Sequence, residues 1–235
     1  IDYVSADGVV VLNRDDQFFA KWTSRAGQKH CVSFGEHERS DVRILKSEGR
    51  TLSMKVLGEP CQFDYTLLGA HNKFNAAAAV AVSVSAGVSI PAITAGLQNV
   101  RAVPGRLDVR HISTDLLLID DSYNANLASM RAAIDVLSAQ AGEKILVLGA
   151  MRELGETSHL IHEQVGAYAR SQGIDTLLAL VDREGAAYHA DMSAYIKGFG
   201  DTAEICNEVA AVVGSIYAKP GPMSVLVKGS RFAAM

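Results

Sequence analysis

A chain of 235 residues, 49% hydrophobic and 20% charged, can bury a sizeable core as one large or two ordinary domains, without a disulfide or metal staple. Its formal charge of −4, with Lys and Arg scattered along the chain, argues against a basic stripe for nucleic acid or a polybasic membrane patch. Cys31, Cys61 and Cys206 are far apart and odd in number, which argues against a disulfide framework or a zinc site. There is no apolar run of about 18 residues and no signal-peptide pattern in IDYVSADG, so a cytoplasmic location is expected.

In the first half, short β-branched or alternating runs occur at 9–12, 30–34, 42–45, 52–56 and 63–67. Turns such as SEGR and GEPC separate them, which predicts a small, largely antiparallel sheet. A helix is expected from near His71 and a second over 91–100, with Pro91 in the first turn, where its missing N–H has no partner to lose. Past VPGR (103–106) strands alternate with helices: 116–119 then 127–140, 145–148 then 156–172, 176–181 then 184–195. A helix over 202–218 and a strand at 224–227 close the series. This alternation implies βαβ units and a mostly parallel sheet covered on both faces, so the fold class is α/β with a boundary near residue 104. The chain opens with no preceding strand to pair with and stops at RFAAM, where another helix is expected; a piece of a longer protein is the expectation.

Four segments carry groups suited to chemistry. In GAHNKFNAAAA (69–79), Asn72 and Asn75 are three apart on a helix and share one face. An amide offers a donor beside an acceptor, matching the N6/N7 edge of adenine; helix capping, with His71 packed, is the competing reading. Arg106, at the joint between the two halves, can lay a bidentate fork on phosphate or be a solvated hinge residue. In LLLIDDSYNAN (116–126) a buried strand runs into Asp120, Asp121, Ser122, Tyr123, Asn124 and Asn126. Ligands of α/β sheets bind at the carboxyl ends of strands, and a carboxylate there can accept from ribose hydroxyls or position a cation. Asn124 or Asn126 capping the next helix is the simpler alternative. VLGAMRELGE (147–156) and VLVKGSR (225–231) are two more strand ends, where Lys228, Ser230 and Arg231 suit a carboxylate or phosphate, or a solvated turn. His159 and His162 do not form HExxH and have no third ligand, so surface or capping roles are expected rather than a metal site. Neither GxGxxG after a strand nor GxxxxGK[ST] occurs, so the usual backbone cradle for ATP phosphates is not found in these residues.

Taken together and in order, these segments resemble the Mur ligase family of peptidoglycan synthesis, with DDSYNAN the most specific. The likeness is greatest to the branch that adds D-alanyl-D-alanine to UDP-N-acetylmuramoyl-tripeptide. It implies that residues 1–103 form the end of a central ATPase domain without its phosphate loop, and residues 104–235 a Rossmann-like C-terminal domain. It implies ATP and Mg2+ as cofactors, magnesium ligands mainly upstream of Ile1 and none in this chain, and a monomer. It implies Asn72 and Asn75 on adenine, Arg106 on the ATP phosphates as a catalytic group, and Asp121 on ribose. Tyr123, Asn124, Asn126, Lys228, Ser230 and Arg231 are implied to line the acceptor cleft. The 235 residues alone are expected not to complete the reaction. Ala150 stands where family members often carry an acid, although Glu153 is retained. A sister Mur enzyme, a folylpolyglutamate synthase and a non-catalytic nucleotide-binding module are the alternatives.

Overall fold

Residues 9–64 fold into one five-stranded sheet. The computed structural model describes residues 1–49, 51–181 and 186–230, and divides into two compact units, Ile1–Arg101 and Ala102–Met235. The first unit contains β1 (Val9–Asn13), α1 (Phe19–Ala26), β2 (His30–Gly35), β3 (Val42–Glu48), β4 (Thr51–Val56) and β5 (Glu59–Asp64), with the strands side by side in chain order. The sheet is mixed rather than largely antiparallel: β1 with β2 and β2 with β3 run parallel, and only β3, β4 and β5 form an antiparallel meander. The reason is α1, which the sequence reading did not foresee. Parallel neighbours need a crossover, and this helix supplies the one between β1 and β2.

The fifth strand begins at Glu59, not at 63, because a two-residue turn pins it. Leu57 and Gly58 both take positive φ (48° and 98°), the geometry of a tight hairpin whose twist suits its strands, and Val56 pairs with Glu59. Pro60 is tolerated since β5 is an edge strand. Helices α2 (Ala70–Ser85) and α3 (Ile90–Gln98) follow. The buried positions of α2, at Ala76, Ala77, Val80 and Ala81, recur at helical spacing. They meet Val42, Ile44, Leu52, Met54 and Phe63 from the strands in one core. Each large apolar side chain fully buried there contributes about 1.5–3 kcal/mol.

The second unit runs β6 (Asp108–His111), β7 (Leu116–Asp120), α4 (Leu127–Ser138), β8 (Glu143–Leu148), a 3₁₀ turn (Gly155–Thr157), α5 (Ser158–Ser171), β9 (Thr176–Leu180), α6 (Ala186–Phe199), β10 (Ala203–Cys206), α7 (Val209–Tyr217) and β11 (Met223–Lys228). Its sheet has the order β10-β9-β8-β11-β7-β6, parallel throughout except for β6 against β7. The stretch 202–218, read as one helix, contains β10 as well as α7. Four residues are too few to display a strand's alternation, and β10 exists because it pairs with β9 at the sheet edge. The consequence for the site lies in the order: β11 slots between β8 and β7, so the last strand ends beside the DDSYNAN turn.

Helices α5 and α6 cross closely. A Cβ on Gly166 would lie 2.2 Å from the Tyr195 carbonyl oxygen, and one on Gly198 would lie 2.1 Å from that of Glu163. Among the described residues no helix is long and apolar enough to cross a membrane. Because backbone faces backbone at this crossing, Gly166→Ala is expected to destabilise the chain by about 1–3 kcal/mol or more, seen as a lower urea midpoint. Gly214→Ala on α7, where nothing lies within 4 Å of the added methyl, is expected to raise the midpoint slightly. Equal midpoints for wild type and Gly166→Ala would mean that the helices are free to slide apart.

Candidate functional site

The turn after β7 divides its polar side chains between holding its own shape and facing outward. Asp120 ends the strand; its Oδ1 accepts from the Ser122 amide (3.1 Å) and the Ser122 hydroxyl (2.6 Å), and its Oδ2 lies 3.5 Å from Arg110 on β6. Asp121 extends the ladder by donating its N–H to the Val227 carbonyl at 2.9 Å. Its carboxylate turns inward: Oδ1 accepts from the Leu107 amide at 3.1 Å, and Oδ2 from the Lys228 ammonium. Lys228 is 2% exposed, and its Nζ also donates to the Asn124 carbonyl at 2.9 Å. Removing an ammonium from water costs several kcal/mol unless protein oxygens replace the hydration, and Asp121 and Asn124 do so. Each Asp121 oxygen has one such donor, and each retains a further lone-pair direction.

Against this turn lies the segment 103–107. Gly105, at φ 74°, accepts the Tyr123 amide at 2.9 Å, and a Cβ there would come within 3.0 Å of the Tyr123 nitrogen, so a side chain would push the two segments apart. Next to it, the exposed Arg106 lays its guanidinium 4.1 Å from the centre of the Tyr123 ring. Cation–π contact holds the group through its charge. Among the described residues the Arg106 guanidinium makes no hydrogen bond or ion pair, so its donors remain available to a ligand.

The two asparagines of the turn separate cleanly. Asn126 is the N-cap of α4: its Oδ1 accepts the Ser129 amide at 2.8 Å while Ser129 Oγ accepts the Asn126 amide at 3.0 Å, a reciprocal capping box. Asn124 uses its Oδ1 on the Ala125 amide and its carbonyl on Lys228. Beyond β11, the Ser230 amide donates to the Ala150 carbonyl at 3.1 Å, and its buried hydroxyl has no partner among the described residues. Arg231 lies outside the described residues. Ala150 itself is 2% exposed, so its methyl is packed in the interior. Thus Asp121, Asn124 and Lys228 form one bonded group at the carboxyl edge of the sheet, with Arg106 stacked on Tyr123 beside it.

In the first unit Asn72 and Asn75 are on α2, whose N-cap is Gly69 with no side-chain cap bond, so neither asparagine caps it. Asn72 donates to the Leu68 carbonyl (2.5 Å) and accepts from Asn75 Nδ2 at 2.9 Å. This arrangement orients the exposed Asn75 amide, which keeps its Oδ1 and one N–H for a ligand. No group of three or more His, Cys, Asp and Glu residues able to hold a metal occurs among the described residues. His159 is exposed as expected, but His162 is not: it is fully buried and accepts the Met151 amide at 3.0 Å. The spacing 162, 165, 166, 169 of the buried face of α5 was the signal that could have revealed it.

Two family models match the chain: "Mur ligase middle domain" over residues 1–83 and "Mur ligase, glutamate ligase domain" over residues 105–231. The chain is 36% identical over 236 aligned residues to the UDP-N-acetylmuramoyl-tripeptide–D-alanyl-D-alanine ligase of Escherichia coli, covering 97% of this chain and 50% of that protein. It is 30% identical to the ligase of the same name from Haemophilus influenzae, covering 99% of this chain and 50% of that one. A crystal structure of MurF from Acinetobacter baumannii aligns with a TM-score of 0.84 at 30% identity, covering 100% of this chain and 51% of that chain. The chain therefore spans about half the length of the curated relatives it matches.

The buried ion pair yields a stability test. Asp121→Ala, which strands the Lys228 ammonium, is expected to cost about 3–5 kcal/mol in chemical denaturation. The double variant Asp121→Ala with Lys228→Met, which removes both charges, is expected to recover a large part of that loss. Additive effects of the two substitutions would show that the pair is not coupled.

Proposed function

The chain belongs to the Mur ligase family, and from that premise we propose that it serves an ATP-dependent amide-bond ligase joining D-alanyl-D-alanine to UDP-N-acetylmuramoyl-tripeptide in peptidoglycan synthesis. The observation that carries the reading is the strand-end group itself. The DDSYNAN turn is locked by a buried lysine whose partner carboxylate keeps unused lone pairs, and beside it Arg106 presents a guanidinium held only by the Tyr123 ring, in a chain whose relatives are named for this reaction. We assign residues 1–103 to the end of the central ATPase domain and residues 104–235 to the Rossmann-like C-terminal domain.

Within the first unit, the oriented amides of Asn72 and Asn75 suit the adenine edge. In the second, Asp121 has lone pairs left for ribose hydroxyls, and Arg106 offers a permanent charge with free in-plane donors to the phosphates. Tyr123, Asn124, Asn126, Lys228, Ser230 and Arg231 are assigned to the acceptor side. Of these, Asn126 spends its Oδ1 on the helix cap, and Lys228 acts by fixing the turn; the unpartnered Ser230 hydroxyl is the group best placed to meet a carboxylate.

ATP supplies the phosphoryl group that activates the tripeptide: a carboxylate oxygen bonds to the γ-phosphorus as the bond to ADP breaks. The amine of D-alanyl-D-alanine then bonds to the acyl carbon, phosphate leaves with the C–O electron pair, and the amine releases a proton. Positioning and charge stabilisation dominate such transfers, and Mg2+ is assigned to accompany ATP. A monomer working in the cytoplasm, where ATP and UDP-linked precursors are found, fits this reading.

The test is ligation by the polypeptide expressed from its complete coding sequence, with ATP, Mg2+, UDP-N-acetylmuramoyl-tripeptide and a choice of acceptors. D-Alanyl-D-alanine is expected to yield the pentapeptide product by mass spectrometry with one phosphate released per bond. Arg106→Ala is expected to lower kcat by about 10²–10³ with the thermal midpoint unchanged. Use of a glutamate acceptor instead would move the protein to a sister ligase or a folylpolyglutamate synthase. Nucleotide binding without ligation of any acceptor would make it a binding module.

A further inference from the structure

The loop leaving β8 is bonded at three successive residues. The Gly149 amide donates to the Lys228 carbonyl at 2.9 Å, and the Gly149 carbonyl accepts the Tyr195 hydroxyl at 3.2 Å. The Ala150 carbonyl accepts the Ser230 amide at 3.1 Å, and the Met151 amide donates to His162 Nε2 at 3.0 Å. A ring nitrogen that accepts a hydrogen bond carries no proton. His162 Nδ1 lies 2.7 Å from the Ser158 carbonyl, an acceptor only, so Nδ1 carries the ring's proton and donates it there. The two bonds together allow one state of the ring, the neutral Nδ1–H tautomer.

The surroundings enforce that state. His162 has no solvent exposure, so no water can substitute for either partner. Among the described residues the ionisable groups facing the ring are Asp191 and Tyr195 on α6. Asp191 Oδ1 lies 3.5 Å from Nδ1 but already accepts the Ser158 hydroxyl at 2.9 Å, and Tyr195 packs edge-on at 4.7 Å between ring centroids. From α4, Arg131 and Asp135 meet Tyr168, more than a helical turn further along α5. From the loop comes the Met151 amide. Burial pushes the imidazole below its usual 6.5, outweighing the Ser158 carbonyl and Asp191, which pull it upward. Burial also drives the Tyr195 phenol well above its usual 10, keeping it a donor to Gly149.

We propose that His162 is a positioning residue: as a neutral Nδ1–H imidazole it fixes the loop 149–151, and through that loop's bonds to Lys228 and Ser230 it holds the turn after β11. A histidine that merely fills the core would satisfy itself without coupling two strand ends. Here its acceptor nitrogen is spent on a main-chain amide one residue from the carbonyl that binds Ser230. The inference concerns the geometry of the strand-end group and stands whichever ligand that group takes.

Amide exchange and side-chain nitrogen NMR on the 235-residue chain test it. The ring is expected in the Nδ1–H tautomer at neutral pH. Its folded-state affinity for protons is depressed, so its contribution is complete above about 6.5 and is lost as pH falls through the lowered folded value. Over that range the Met151 and Ser230 amides, corrected for intrinsic rates, are expected to lose protection together while Leu146 in β8 does not. His162→Phe, close in size but without an acceptor, is expected to speed exchange at both amides about tenfold, and His162→Gln, whose carbonyl can accept, to restore most of the protection. An Nε2–H tautomer would overturn the proposal. So would Ser230 exchange that stays unchanged while Met151 is released. If His162→Phe does not fold, the titration of the wild-type chain decides.

Discussion

An ammonium group sealed from water must have its hydration replaced, and in the second unit that requirement falls on Lys228. The replacements come from one turn: the carboxylate of Asp121 and the carbonyl of Asn124. Meeting it requires β11 to lie directly beside β7, which is why the last strand is inserted into the middle of the sheet rather than added at its edge. It also requires the residues after β7 to curl over the end of β11, which commits Asp120 and Ser122 to each other and hands Asn126 the start of α4. A buried ion pair of this kind adds little net stability over a packed apolar pair, but a misregistered strand would leave the charge alone. The lysine thus selects among arrangements of the sheet more than it strengthens the chosen one.

Much of this was legible from residue patterns. The alternation of strands and helices past residue 103, and the density of polar side chains after Leu116–Asp120, pointed to a parallel sheet with a site at its carboxyl edge. What escaped the sequence depended on partners distant in the chain. The strands β6 and β10 are four residues each and owe their conformation to neighbours. The register of β5 follows from positive φ at Leu57, a conformation the residue type does not announce. Lys228 suited either a ligand carboxylate or phosphate or a solvated turn, and only the tertiary fold shows its burial. In the first unit the first asparagine pair was read as a choice between capping and binding; Gly69 holds the cap position, and no pattern of side chains in the helix could have said so.

The polar cluster that looked uniform in the sequence is therefore layered. Asp120, Asn124 and Asn126 direct side-chain oxygens to nearby amides, and Asp120 also reaches Arg110 on β6. Asp121 and Lys228 satisfy each other, with the Asp121 oxygens still open to a second donor each. The Arg106 guanidinium is held without hydrogen bonds among the described residues, resting on Tyr123, which itself depends on Gly105 permitting the close approach of its backbone. A charge held by a ring face can be delivered to a ligand without first breaking an ion pair. That is the property wanted at a phosphate, where the cation must be present but uncommitted.

The same logic extends into the helical layer. Side chains on α5 and α6 both reach the main chain after β8, and Gly166 and Gly198 let these helices come into backbone contact where larger residues would hold them apart. Close approach places Tyr195 against the His162 ring, and each then serves a different atom of the same loop, one donating to a carbonyl and one accepting an amide. The loop in turn bonds to both Lys228 and Ser230. Two glycines with no functional groups of their own thus belong to the packing behind a buried lysine and an unpartnered hydroxyl. Side chains that never approach a ligand set the geometry of those that do.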